Sequence, residues 1–142
     1  MKKKIQQYLS TKWPAIIWSV IIFLLLVMPP INLNNEKPLA FSGVDKAIHF
    51  FLFGMMVWLW SYYQLQHTSP GSFFLRKLVT IVIVATLYGI AMEYVQGLVG
   101  RDFDVWDMVA DAAGAVAAGS WLFIQKKKAL VETGAETKTN CL

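Results

Sequence analysis

The chain has 142 residues, 56% of them hydrophobic and 15% charged, with a mean hydropathy of +0.48; this argues against an ordinary soluble single-core domain and makes a membrane protein the first reading. A formal charge of +4 does not point to nucleic acid, because the basic residues form short clusters beside apolar runs, with no stripe or recognised binding motif. The one cysteine, Cys141, is the penultimate residue, so no intrachain disulfide can form.

The length allows one compact domain. The N-terminus, MKKKIQQYLSTKWPAIIWSVIIFLLLVMPP, has the basic start and apolar core of a secretory signal. The nearest small residues, Ala40 and Ser42, lie well past Pro29 and Pro30, so the segment is expected to be retained, with cleavage as the alternative. Four helices are expected in chain order: Trp13 to Met28, Ala47 to Tyr63, Leu78 to Val99 and Asp107 to Ile124. Breakers separate them at Pro29-Pro30 through Pro38, at Ser69-Pro70-Gly71, and from Gly97 through Gly100. A hydrocarbon core of about 30 Å needs about 20 residues at 1.5 Å each, so only the third run is generous and the others need interfacial residues to complete them. The alternative, buried helices of a soluble protein, is disfavoured because four such runs leave too little polar sequence to cover them.

Orientation follows from Lys and Arg. With the N-terminus in the cytoplasm, the inside holds Lys2, Lys3, Lys4, Lys12, Arg76, Lys77, Lys126, Lys127, Lys128 and Lys138, and the outside only Lys37, Lys46 and Arg101. The expected fold is therefore all-α and polytopic, with four transmembrane helices, N-in and C-in. Residues 1–12 form a basic cytoplasmic N-terminus, 13–125 the membrane domain and 126–142 a disordered cytoplasmic tail. The acidic residues sort unevenly on this map: Glu36, Asp45, Glu93, Asp102, Asp104, Asp107 and Asp111 fall near the outer side, Glu132 and Glu136 inside. Three helix ends meet at that outer side.

The second helix begins VDKAIHFFLFG. Asp45 and His49, four apart, share a face, and Asp45 suits an N-cap. His49 stands one turn deeper before an apolar run and needs a partner, structural or functional. On the third helix Val82, Thr86, Gly89, Glu93 and Gln96 form one small and polar stripe, which should face the bundle. Glu93 then points inward, either as a carboxyl tying helices together or as a functional group, neutral or ionised against Lys46, His49 or Arg101. The fourth helix places Asp104, Asp107, Asp111, Gly114 and Ala118 on one face, with Asp104 an N-cap. The remaining carboxyls exceed what capping needs.

The blocks DKAIHF at 45–50, EYVQ at 93–96 and RDFDVWDMVADAAG at 101–114 resemble, in order and spacing, those of the VanZ-like membrane proteins. The resemblance covers about residues 10–125. By position it makes Asp45, Lys46, His49, Glu93, Gln96, Arg101, Asp107 and Asp111 the candidate ligand-binding set; Asp111 departs from the family's usual asparagine but keeps its size. It implies a small multi-span protein of the bacterial cytoplasmic membrane, whose namesake is linked to low-level resistance to the glycopeptide teicoplanin.

Three functions follow as expectations. The first is a non-catalytic module of the cell envelope with a polar outer-leaflet pocket for a lipid headgroup, a lipid-linked cell-wall precursor or a lipophilic glycopeptide; Arg101 and Lys46 would meet phosphate, and Glu93, Asp107 and Asp111 the donors of a sugar or amine. The second is a membrane enzyme using His49 or Glu93 as general acid or base with a carboxylate-bound divalent cation. The third is a structural partner of another membrane protein, held by an interhelical ion network. Membrane lipids are the expected surroundings, with no nucleic acid and no cofactor. No metal site is expected either: a lone imidazole among carboxylates is a poor zinc set, although Mg²⁺ or Ca²⁺ would accept the oxygens.

Overall fold

A computed structural model describes residues 8, 10–28, 42–67, 73–101 and 103–139, with the side chains of 42, 73 and 130–139 outside that description. The breakers from Pro29 through Pro38 and at Ser69-Pro70-Gly71, with Lys2 to Lys4, Glu36, Lys37, Asp102 and Cys141, lie outside it too. Apart from short non-helical stretches, the described residues form four helices, in the order α1 (Trp13–Val27), α2 (Ser42–Gln66), α3 (Phe73–Leu98) and α4 (Val105–Thr139).

Each expected helix is present, and the bounds shift for local reasons. Helix α1 starts at Trp13 with Pro14 in its first turn, where the missing N–H costs nothing. Helix α2 begins before Ala47, so Asp45 is not the N-cap expected of it but a first-turn residue, where the helix dipole still favours an anion. Helix α3 begins at Phe73 rather than Leu78, taking Arg76 and Lys77 into its first turns. The largest change is at the C-terminus. Expected to be disordered from residue 126, the chain continues α4 as helix to Thr139. Its Lys, Ala, Leu and Glu residues are good helix formers, and extending an anchored helix avoids the cost of nucleation.

The α3–α4 connection is short and closed at both ends. Gly100 has φ +82, and Arg101 N–H donates to the Gln96 carbonyl at 3.0 Å, the six-to-one bond of a Schellman ending that needs glycine at the left-handed position. Three residues later Asp104 caps α4, its Oδ1 accepting from Trp106 N–H at 2.8 Å. These two stops fix where Arg101 and Asp104 stand relative to α3.

Packing uses small residues. Gly114 of α4 lies so close to the Phe50 carbonyl of α2 that a Cβ there would overlap it, and Gly54 of α2 faces the Gly114 carbonyl in return. Lower on α4, Gly119 meets Val82 of α3. Close backbone approach of this kind gains dispersion contacts without needing water as a driving force. Phe53, Met56 and Val57 of α2, Ala85 and Met92 of α3, and Ala115 of α4 complete the core with Ile22 and Leu26 of α1. Helix α1 is further tied by Trp18 Nε1 to the Leu52 carbonyl at 3.0 Å and by the Tyr88 hydroxyl to the Ser19 carbonyl at 3.0 Å.

The outward faces are apolar. Leu24, Phe51, Val84, Leu87 and Ile124 stand exposed, Phe51 at 71%, while His49, Glu93 and Asp111 are at most 1% exposed. This inverts the polarity of a soluble protein. Among the described residues, two helices are long and apolar enough to cross a membrane, Phe74–Leu98 and Val105–Ala129, and Trp13–Val27 is apolar but shorter. The 25 residues of Phe74–Leu98 give about 37 Å of helix, more than a hydrocarbon core of about 30 Å.

Candidate functional site

The start of α2, the end of α3 and the start of α4 meet at one end of the bundle, and they bring the sequence-predicted polar residues together. Helical spacing does most of this work. On α3, Gly89, Glu93 and Gln96 are buried on a single stripe, and on α4 Asp107, Asp111 and Gly114 are too. The stripes face each other closely enough that a Cβ on Gly89 would stand 2.6 Å from Asp111 Oδ2. Glycine at 89 therefore makes room for the carboxylate at 111.

Among the described residues, three charged contacts link α2 to the start of α4. His49 Nδ1 lies 2.9 Å from Asp111 Oδ1, and both side chains are almost fully buried. Lys46 Nζ reaches Asp104 Oδ2 at 2.6 Å and Asp107 Oδ1 at 3.1 Å. Asp104 thus serves twice, one oxygen capping α4 and the other gripping α2. The Lys46 ammonium, and after it the Trp106 N–H, hold the Asp104 carboxyl below its usual range. The sequence reading reached only the cap. The second role rests on where the lysine of another helix falls, which spacing along α4 does not encode.

Glu93 sits at the centre, with no exposed surface. Its Oε2 accepts the Asp104 backbone N–H at 3.2 Å, and its Oε1 has no hydrogen-bond partner among the described residues. Asp111 Oδ2 is in the same condition. Glu93 lies within electrostatic reach of Asp107, His49 and Asp111. A buried carboxylate oxygen without a partner is costly, and such atoms call for an explanation.

Two expected members do other work. Arg101 Nη1 points at the end of α1, within 3.4–3.5 Å of the carbonyls of Leu25, Leu26 and Met28. Gln96 Nε2 donates to the Leu26 carbonyl at 3.2 Å. Both satisfy the orphan carbonyls of a helix C-terminus and bind α1 to the bundle. Asp45 is exposed at the rim, and one of its oxygens, one of Asp107 and one His49 ring nitrogen all lie within 4.8 Å of one another. His67, at the far end of α2, bonds its own Tyr63 carbonyl at 2.9 Å.

The arrangement can do two things chemically. A histidine whose Nδ1 is engaged by a carboxylate presents Nε2 in a fixed orientation, to accept a proton or a ligand. Asp45, Glu93 and Asp107 offer acceptors to a donor-rich group. Apolar grooves lie elsewhere: about 380 Å³ between α3 and α4, bordered by Leu78, Val82, Gly119 and Phe123, and about 300 Å³ bordered by Ser19, Met56, Trp60 and Tyr88. Neither is lined by a member of the polar cluster.

Compared with known proteins, residues 3–127 match the family model described as VanZ/LLP1. No curated protein matches the chain, and no solved structure does. The matched stretch takes in α1, α2, α3 and α4 as far as Lys127, and with them every member of the polar cluster.

Proposed function

From the premise that the chain belongs to the VanZ/LLP1 family, we propose that it is a four-span protein of the bacterial cytoplasmic membrane, N-in and C-in. In this reading its polar cluster lies at the outer leaflet and binds the headgroup of an envelope lipid, a lipid-linked cell-wall precursor or a lipophilic glycopeptide. The outward apolar faces and the two helices of spanning length support the membrane setting. The distribution of Lys and Arg supports the orientation.

The observation that carries the binding reading is the excess of acceptors. Asp45, Glu93, Asp104, Asp107 and Asp111 outnumber the cations Lys46 and Arg101, and both cations are already engaged, by aspartates and by α1 carbonyls. The complementary ligand therefore brings donors, an amine or sugar hydroxyls, and phosphate is the poorer match. That narrows the expectation that Arg101 and Lys46 meet phosphate. Catalysis is not required by this reading.

A second reading, an architectural network, is favoured by Arg101 and Gln96, whose bonds run to α1 backbone. One experiment separates the two. Full-length protein in nanodiscs holding equal phosphatidylethanolamine and phosphatidylglycerol is probed for retained lipid, with folded yield measured alongside. Binding predicts amine-headgroup enrichment that Asp45→Asn, an exposed substitution, removes at unchanged yield. Equal retention of the two lipids in the native protein would discard the amine-headgroup form of the reading.

A further inference from the structure

We infer that Asp45, His49 and Asp107 form a binding site for one divalent cation of the first transition row, with Asp111 as the positioning residue behind the histidine. The three donor atoms lie within 4.8 Å of one another and come from two helices. Three donors on one ion with bonds of about 2.1 Å stand about 3.0–3.6 Å apart, so side-chain rotation must draw the set together by about 1–2 Å. The donor set mixes one imidazole nitrogen with carboxylate oxygens, which Mn²⁺ and Fe²⁺ accept and which leaves positions for water.

The surroundings match what a metal-bound histidine requires. Its other ring nitrogen ordinarily donates to a carboxylate, fixing tautomer and ring orientation. Here Asp111 Oδ1 stands 2.9 Å from Nδ1, which leaves Nε2 as the ligand atom. Asp107 is supported similarly, with Lys46 on its Oδ1 at 3.1 Å. The lysine's shorter bond, 2.6 Å, goes to Asp104, so Asp107 is the less saturated of its partners, and its second oxygen can turn to a cation.

An independent observation points to a bound positive charge. Glu93 is fully buried with Oε1 unpartnered, within electrostatic reach of His49 and Asp107. Buried carboxylates in excess of their cations are expensive unless paired or bound to metal. A divalent ion between α2 and α4 offsets that excess of negative charge. The sequence showed one imidazole with Asp45 on its own helix face; it did not reveal that Asp111 backs the ring and that Asp107 faces it.

This site shares Asp45 and Asp107 with the headgroup reading but does not depend on it, and its test uses no lipid. Full-length protein in detergent, stripped with chelator, is titrated with Mn²⁺ and the free ion followed by electron paramagnetic resonance. The expected result is one saturable equivalent, with an imidazole nitrogen coupling in the pulsed spectrum that His49→Gln abolishes. Asp45→Asn, at an exposed position and folded as judged by helicity, should weaken Mn²⁺ binding by at least about tenfold. No saturable binding by the native chain, or unchanged affinity in Asp45→Asn, would overturn the site.

Discussion

The two halves of the bundle are held together by different physics. At the α2-start, α4-start end, the helices are joined by directional contacts: His49 to Asp111, Lys46 to Asp104 and Asp107, and the Asp104 N–H to Glu93. In the middle and lower half they are joined by shape, with Gly114 against the Phe50 carbonyl and Gly119 against Val82, and partly buried Trp and Tyr rings around them. Each half should therefore fail in its own way. The polar end should be sensitive to charge and, Gly89 apart, tolerant of small changes in volume, and the close-packed part the reverse.

The strongest break of that contrast comes from His49→Leu, which keeps bulk but leaves the Asp111 carboxylate buried without its partner. Removing one member of a buried pair costs about 3–5 kcal/mol, to be read as unfolding in mixed detergent–SDS micelles. Asp111→Asn keeps the size and an acceptor for His49, and a loss much smaller than that of His49→Leu is expected from the same measurement. Equal losses would mean that removing the Asp111 charge costs as much as stranding it. Next comes Gly114→Ala, which adds one carbon where backbone blocks it; overpacking costs of about 1–3 kcal/mol apply. Its counterpart Gly43→Ala, on α2 with open space around it, should be neutral or stabilise by about 0.5–1 kcal/mol.

Smaller effects sharpen the comparison. Arg101→Ala frees α1 carbonyls from long, shared contacts, so a loss of about 1 kcal/mol is expected, together with faster hydrogen exchange at the C-terminal end of α1 relative to α4. The weakest effect is the pH response of the Lys46–Asp104 bridge. Because the folded Asp104 carboxyl sits below its unfolded value, its contribution is complete above the ordinary carboxylate range and is lost as pH falls through the folded value. Acid titration of stability should show a component that Asp104→Asn removes.

Much of this was legible in the sequence because it depends on periodicity. The stripe from Val82 to Gln96 and the one from Asp107 to Gly114 follow from spacing alone, and the structure turns both inward. Helix ends were less legible. Ser42 and Phe73 extend their helices through residues that no hydropathy argument requires, and the charged stretch after Gln125 lacks the composition of a span yet keeps helical backbone. Partner choice was least legible. Arg101 and Lys46 read equally well as phosphate ligands until tertiary structure set Arg101 against α1 and Lys46 between two aspartates. Charge type is encoded locally; the identity of the opposing group is set by which helices become neighbours.

The central claim is that the polar end of the bundle faces away from the cytosol, and it is tested most directly by accessibility beside the cluster. Phe103, exposed in the α3–α4 connection next to Asp104, is replaced by Phe103→Cys in a Cys141→Ser background. A membrane-impermeant maleimide is then applied to spheroplasts and to inverted vesicles. The account predicts labelling in spheroplasts and protection in inverted vesicles. Labelling confined to inverted vesicles would contradict it.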